Sequence, residues 1–485
     1  MPHFSQKDRK IDAPGLGPVA RCRSLALAVS VLLAATAAGN AQSHATISRP
    51  AAFKANRSRH TTANFYIVAS EELANRIVRR SRTEYGSVVD TILGAQVRGG
   101  RATMTEVAVD FRPGAHEAHL DFCLTGVTQS DTLGTTRQSL TRTFGCHSFA
   151  VTKPVYFDGR LCRTYKPTGW VLPRNWTAAV RTPVSGVPLM GPAVDRYAYS
   201  EVERRRPLAE RIAAGRVLES VSPKFNTSID DLLGRINGRL TSTVRPLLTE
   251  WQFFPDEQHA TTTDTRLQYR ALLRSDSAPV VSGMPAGVDS GSALAIAVHQ
   301  SLLDAWVNRM HLGGKSMTDR QIDKWLANFT ATLKREPASI KSKAALAPDS
   351  DAEKPGLATI RLDDTDPIRF RFAEGQLVVV VRAGLKPLLG GEIPTQTISI
   401  PLRLRLDEGK IVVTPGKVSI GDSDDVGATQ PPAFMRELIR QQITSRLASL
   451  QLGGRLPIPT RGGKDVTLTV SEITAQDGWL VLKFE

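Results

Sequence analysis

The chain has 485 residues, of which 41% are hydrophobic and 22% are charged. This composition excludes a disordered or collagen-like chain and is enough for more than one domain with a substantial core. The formal net charge is +15, which favours anionic partners such as phospholipid headgroups, envelope polymers or nucleic acid. No catalytic motif is strong, so function has to be inferred from architecture.

The N-terminal segment is typical of a secretory signal peptide. Basic residues between Lys7 and Arg23 precede an apolar run at 25–38, and small residues follow at Gly39 and Ala41. The apolar run is shorter than the roughly 20 residues that a membrane-spanning helix needs. We therefore predict a signal peptide at 1–41, a flexible mature N-terminus at 42–63 and a soluble, exported protein in the periplasm or outside the cell.

Three cysteines remain after removal of the signal peptide, namely Cys123, Cys146 and Cys162. An exported protein lies in a compartment that permits disulfides, so the simplest expectation is one disulfide and one free thiol. The sequence leaves open which two cysteines pair.

Residues 64–285 are predicted to form a first helix and sheet unit. Apolar residues recur at helical spacing from Leu73 to Ile92, after a capping serine at Ser70. Period-two alternation then predicts long antiparallel strands over 103–160. A stretch rich in proline and glycine at 167–192 is predicted to be irregular, and a helix over 201–248 is predicted to break near its two internal prolines.

Residues 286–485 are predicted to form a second unit with the same order of elements. A helix is expected from Asp289 to Trp306, and strands are expected over 368–372, 377–381 and 398–406. A second helix from Met435 to Leu450 and two closing strands at 466–470 and 480–484 complete this half. The repeat is one of pattern, without residue-by-residue identity.

This order of elements resembles the tubular lipid-binding superfamily, which includes the bactericidal permeability-increasing protein. The second half carries the likeness in Ser292–Trp306, in Leu456-Pro-Ile-Pro459 and in Asp477–Leu480, and the first half carries it in element order alone. The resemblance implies an α+β fold of two tandem units, each a long curved antiparallel β-sheet wrapped on long helices. It also implies that lipid lies between a sheet and a long helix, with no catalytic residues and no cofactor.

The apolar faces leave two interpretations open, a filled core or a seam long enough for an acyl chain. The first interpretation follows from the high packing density of protein interiors, and the second from the family resemblance. For a hollow unit, which would bind lipid or another long apolar ligand, the candidate lining residues are Leu302, Trp306, Ile368, Phe370, Phe372, Ile400, Leu402, Leu404, Ile443 and Leu447.

Two other functions compete with lipid binding. A structural protein with filled cores would adhere to an anionic membrane surface or envelope polymer through basic residues such as Arg204, Arg205 and Arg206. A hydrolase would use Asp289 in Asp-Ser-Gly, but that chemistry needs a second such motif or a dimer, and the sequence contains no second copy. The helical spacing that follows predicts a helix N-cap instead. Nucleic acid is excluded as a partner because the protein is expected to be exported and aromatic residues do not interleave with the basic ones.

Two further motifs are predicted to be structural. His116 and His119 lie near Cys123, but their odd spacing places the histidines on opposite faces of a strand, so a surface turn is expected rather than a metal site. Gly313-Gly-Lys-Ser316 lacks the first glycine of a phosphate-binding loop, where Arg309 stands. We therefore predict a non-enzymatic protein without a metal.

Overall fold

The fold is α+β and consists mainly of antiparallel sheets. A computed structural model describes residues 62–274, 283–289, 291–318, 358–387, 393–421, 433–446, 449–458 and 465–485. The predicted signal peptide lies outside these ranges, as does Leu447. Within them, three sheets and one long helix form the framework. The α+β prediction is thus confirmed, whereas the tandem organisation stays a prediction.

The N-terminal sheet has six strands and is curled into a half-barrel. Strands follow one another in the order β2-β3-β4-β5-β6, and β7 also pairs with β5. The predicted strands within 103–160 are confirmed. The bounds are β2 Arg80–Ile92, β3 Ala95–Arg112, β4 Ala118–Thr135, β5 Leu140–Phe157, β6 Cys162–Thr164 and β7 Thr168–Arg181.

Strand β7 corrects the expectation of an irregular connection over 167–192. Its residues pair in register with β5, with Pro173 opposite His147. Because β7 pairs with β5 on one side and packs against a helix on the other, the proline occupies an edge strand, where the missing N–H is tolerated.

The predicted helix over 71–92 is also wrong beyond its first two turns. Helix α1 spans Glu71–Val78, and the Oγ atom of Ser70 accepts a hydrogen bond from the Leu73 N–H at 3.1 Å. The predicted cap is therefore confirmed. The chain then enters β2, whose β-branched residues pair with β3 along its whole length, and this pairing outweighs the helical spacing.

One long helix packs along β7. Helix α2 spans Met190–Arg239, continues through a π-helical turn at Leu240–Val244 and ends in helix α3 at Arg245–Glu250. It runs through Pro207 and Pro223, so the predicted breaks are wrong. Each proline removes a backbone hydrogen bond, and the burial of apolar side chains of α2 against the sheet offsets that loss.

The middle sheet joins strands from both predicted units. Strand β1 pairs with β9 on one side and with β10 on the other, and β10 pairs in turn with β21. The two predicted units therefore share one sheet. Its strands are β1 Phe65–Ser70, β8 Glu257–Thr262, β9 Arg266–Leu272, β10 Leu294–His299, β19 Arg455–Ile458, β20 Val466–Gln476 and β21 Trp479–Phe484.

Strand β10 corrects the prediction of one helix through Trp306. Only Gln300–Arg309 is helical, as α4, and its N-cap is His299, whose Nδ1 atom accepts from the Ser301 N–H at 3.1 Å. Asp289 lies in a turn before the strand, so it is not a helix N-cap. The apolar run is a strand because it is buried between two neighbouring strands of the middle sheet.

The C-terminal sheet confirms the strands predicted over 368–372, 377–381 and 398–406. Its path is β11-β12-β14-β15-β16-β18, with β13 paired to β14 and β17 paired to β15. Helix α5 spans Ala433–Arg446, and Leu450, the last residue of the predicted helix, begins a strand instead. The strands are β11 Ser316–Thr318, β12 Ala358–Leu362, β13 Ile368–Ala373, β14 Gln376–Pro387, β15 Ile393–Asp407, β16 Lys410–Pro415, β17 Ser419–Ile420 and β18 Leu450–Gly453.

The largest core cluster joins helix α2 to the N-terminal and middle sheets. Phe225, Ile229 and Leu233 of the helix pack in this cluster against buried residues of β3, β4, β5, β9 and β10. Within the described ranges, no helix combines the length and the apolarity needed to cross a membrane.

The three cysteines form no disulfide, so the expectation of one pair is wrong. Cys123, Cys146 and Cys162 are all free. Burial raises the pKa of the Cys162 thiol to about 12 and also raises the pKa of Cys123. Because the thiolate is the reactive form, these two thiols are poor nucleophiles.

Candidate functional site

Strands β13, β14 and β15 bring together the predicted lining residues of the C-terminal sheet. In an antiparallel pair, residues directly opposite one another lie on the same face. The register therefore forms three cross-strand rows of apolar side chains. These rows are Ile368–Val381–Ile398, Phe370–Val379–Ile400 and Phe372–Leu377–Leu402.

The same face continues onto two further strands. Leu404 lies opposite Val413, which lies opposite Leu450, and Leu406 lies opposite Ile411, which lies opposite Leu452. We call these five rows the apolar face. Phe372 is 2% exposed, whereas every other member is only half-buried. Leu406 and Ile411 pack against the main core cluster, so the rows from Ile398 to Leu404 are the part of the face open to a ligand.

Helix α4 lies at the edge of this sheet. The carboxylate Oδ1 of Asp304 accepts a hydrogen bond from the Phe370 N–H at 2.9 Å, and Oε1 of Gln300 accepts from the Phe372 N–H at 3.2 Å. These two bonds satisfy backbone donors on the free edge of β13. They fix the helix against the strand that begins the apolar face.

The predicted lining residues on helices lie in places that differ from one another. Trp306 stacks on Phe253 at a centroid distance of 4.7 Å and donates its indole N–H to the Trp251 carbonyl oxygen at 2.8 Å. It is thus engaged with the segment after α3. Leu302 and Ile443 are half-buried on α4 and α5, and α5 contacts β17, which pairs with the Ile398 end of β15.

Asp304 is a titratable group bound to the strand that begins the apolar face. Burial raises its pKa to about 6, whereas the Phe370 N–H and the nearby Arg369 oppose that rise. The folded carboxyl therefore holds its proton over a range in which the unfolded carboxyl, with an ordinary pKa of 3.8, is ionised. Since the folded state then binds more protons, stability is greatest below the unfolded pKa and declines as pH rises towards 6.

Replacing Asp304 with asparagine is expected to remove this decline. The amide oxygen can still accept from the Phe370 N–H, but it carries no charge to desolvate. Asp304→Asn should exceed the wild type in stability above pH 6 by about 1 kcal/mol, a value reduced for partial solvent exposure. Urea unfolding from pH 4 to pH 8 measures this, with Asp364→Asn as an exposed control. Parallel pH profiles for wild type and Asp304→Asn would contradict the assignment.

A buried polar contact under helix α2 was missed by sequence reasoning. Lys153 on β5 is 1% exposed, and its Nζ atom lies 2.6 Å from Oδ1 of Asn226, 3.0 Å from Oδ1 of Asp230 and 3.0 Å from the Tyr165 carbonyl oxygen. A lysine inside an apolar strand requires a partner on another element. That rule is the signal that could have revealed the contact.

A second buried polar group on β5 faces the same helix. His147 is 4% exposed and its Nδ1 atom has no hydrogen-bond partner. Burial lowers the pKa of this imidazole, and Glu210 on α2 opposes the shift. The face of the N-terminal sheet under α2 is thus apolar at one end and partly polar at the other.

The basic run and the histidine motif singled out in the sequence both have partners within the protein. Arg204 and Arg205 both pair with Glu201, and Arg206 pairs with Glu203, so the basic run is compensated within the helix. His119 stacks on Tyr156 at 4.5 Å and its Nε2 atom lies 3.2 Å from Oδ1 of Asp121. His119, the second histidine of the motif considered as a metal site, therefore has structural partners on its own sheet.

Comparisons with known proteins give only distant likenesses. No protein-family model matches the chain, and no curated protein matches it. Among solved structures, it is similar to a lipopolysaccharide binding protein at 10% identity and a TM-score of 0.32, covering 87% of this chain and 98% of that one. It is also similar to P47 from Clostridium botulinum A2 at 9% identity and a TM-score of 0.25, covering 87% and 97%. Scores this low establish no ligand, and the resemblance to the tubular lipid-binding superfamily stays a prediction.

Proposed function

We propose that this protein binds a lipid or another long apolar ligand on the apolar face of its C-terminal sheet, and that it does so without catalysis. The observation that carries the proposal is the register of β13, β14 and β15, which aligns aliphatic and aromatic side chains in rows that, apart from the buried Phe372, remain half-buried. Contact with an apolar ligand would remove this surface from water, at roughly 25 cal/mol per Å².

The length of the apolar face suits an extended acyl chain. From Ile398 to Leu404 the strand advances by six residues, which is about 20 Å at 3.4 Å per residue. One leaflet of a bilayer has a hydrocarbon thickness of roughly 15 Å. The face is therefore long enough to hold a chain of ordinary membrane length.

The chemistry of the face supports binding rather than catalysis. All of its rows consist of aliphatic and phenyl side chains, which offer neither a nucleophile nor a proton donor. We also propose that the protein is exported, on the strength of the basic and apolar pattern of residues 1–41. N-terminal sequencing of the mature protein, with Gln42 expected first, tests that part.

A pair of substitutions on β15 tests the binding proposal. Ile400→Glu places a carboxylate in the centre of the apolar face and is expected to weaken the binding of a fluorescent fatty acid at least about 10-fold, because the charge loses its hydration. Ser399→Glu places the same carboxylate on the opposite face of the same strand and should leave the affinity unchanged. Fluorescence titration of the purified proteins measures both affinities.

A third variant separates lost binding from lost folding. Ile400→Trp keeps the position apolar but adds volume, so it should reduce fatty-acid uptake while circular dichroism stays that of the wild type. Equal affinities for wild type, Ile400→Glu and Ser399→Glu would contradict the proposal, as would a wild-type protein that takes up no fatty acid.

A further inference from the structure

The face of the C-terminal sheet opposite the apolar one is strongly basic. Alternation along β13 and β15 directs Arg371, Arg403 and Arg405 to this side, and Lys410 on β16 joins them. We propose that these four residues form a docking surface for an anionic phospholipid membrane, which they contact through the lipid phosphates. This docking is independent of ligand binding on the apolar face.

The four cations are exposed and form no direct ion pair. In the described part of the chain, none of Arg371, Arg403, Arg405 and Lys410 takes part in an ion pair or a side-chain hydrogen bond, and all four are exposed. Two acids lie near them, because Asp407 is opposite Lys410 and the carboxyl of Asp304 at the edge of β13 interacts electrostatically with Arg371. This contrasts with the run at Arg204–Arg206, where every guanidinium has a glutamate partner.

The register sets these cations close together. Arg371 lies opposite Val378, which lies opposite Pro401, and Arg403 is two residues further along the same strand. Arg405 follows Arg403 on the same face and lies opposite Val412. With strands about 4.8 Å apart and about 7 Å between alternate residues, the three guanidinium groups share one patch of the sheet. A guanidinium group can donate two parallel hydrogen bonds to one phosphate.

The residues between the arginines favour a membrane over a soluble polyanion. Val378, Val380 and Val412 lie on the same face and are half-buried. A membrane interface accommodates both aliphatic side chains and cations, because acyl chains begin just below the phosphates. A soluble polyphosphate would offer the arginines the same charge, but it would bury none of the valines.

Vesicle binding by the mature protein tests the docking surface. Each basic residue near an anionic membrane contributes about five-fold in affinity, so Arg371→Gln, Arg403→Gln and Arg405→Gln together should lower binding to phosphatidylglycerol-containing vesicles on the order of 100-fold. The matched control replaces Arg204, Arg205 and Arg206 with glutamine, which removes the same net charge from a compensated run. This control should change vesicle binding by less than about three-fold.

Three results would overturn the docking surface. They are full vesicle binding by the Arg371/Arg403/Arg405 variant, an equal loss in the Arg204/Arg205/Arg206 control, and equal wild-type binding to vesicles of phosphatidylcholine alone. If the Arg371/Arg403/Arg405 variant lost binding of inorganic polyphosphate but kept binding of vesicles, the surface would bind a soluble polyanion and not a membrane. Fluorescent fatty-acid uptake should be unchanged in the docking variant, so failure here is distinguishable from failure of ligand binding on the apolar face.

Discussion

Replacing Asp230 and Asn226 together with alanine is expected to lower the free energy of unfolding by about 3 kcal/mol, because Lys153 then remains buried with one backbone acceptor. In the native structure its ammonium group contacts both helix side chains, and Asn226 also donates to Oδ2 of Asp230 at 2.7 Å. This contact fastens β5 to α2. Urea unfolding followed by circular dichroism measures the loss.

Removing the buried charge should reverse part of that loss. Lys153→Met in the same double variant keeps much of the side-chain volume without an ammonium group to desolvate, so stability should rise again. Asp231→Ala, at an exposed position beside Asp230, is the matched control and should change stability by less than about 0.5 kcal/mol. A double variant as stable as the wild type, or one that Lys153→Met does not restore, would show that the ammonium group does not depend on these partners.

Replacing Phe225 with alanine is expected to destabilise the protein by about 3–5 kcal/mol, since it opens a cavity where helix α2 meets the N-terminal sheet. Phe225 is 5% exposed and belongs to the core cluster that also contains Phe149 and Val151 of β5. The change should lower the urea midpoint without altering the fatty-acid affinity of the C-terminal sheet.

A control on the same helix isolates the effect of burial. Leu208 is 49% exposed, so Leu208→Ala loses little buried area and gains slightly in helix propensity, and its stability should stay within about 0.5 kcal/mol of the wild type. Similar losses in Phe225→Ala and Leu208→Ala would mean that Phe225 is not buried between helix and sheet.

The sequence predicted strands β13 and β15 well because one face of each is apolar and the other is polar, with arginines among its residues. In the segment from Ile368 to Phe372, phenyl and aliphatic side chains alternate with arginines, and the same period recurs from Ile398 to Leu406. Such alternation fits a strand and not a helix. The apolar face could therefore be predicted before its register was known.

Two strands were mistaken for helices for different physical reasons. Strand β10 lies between β1 and β21, and Leu294, Ala295 and Ala297 are fully buried, so its sequence is apolar without alternation. Strand β2 is exposed along most of its length, so its few apolar residues matched helical spacing by chance. In both strands, pairing with distant segments decided the structure, and such pairing is not visible in a local pattern.

The details of the candidate sites depended on contacts that the sequence does not encode locally. The alternation places Arg371, Arg403 and Arg405 on a wet face, but only the structure distinguishes them from the arginines that have glutamate partners. Likewise, Trp306 was expected to line the site, and its partner Phe253 lies more than fifty residues earlier in the chain. Long-range contacts of this kind set the composition of the site.

Native mass spectrometry of residues 42–485, the proposed mature protein, purified from an exporting host, tests the central claim most directly. If the apolar face holds a lipid, the wild type should carry a mass excess that organic extraction removes and identifies, and Ile400→Glu should lack that excess while Ser399→Glu retains it. A wild-type protein that shows only the mass of its polypeptide, and that takes up no added fatty acid or phospholipid, would contradict the claim.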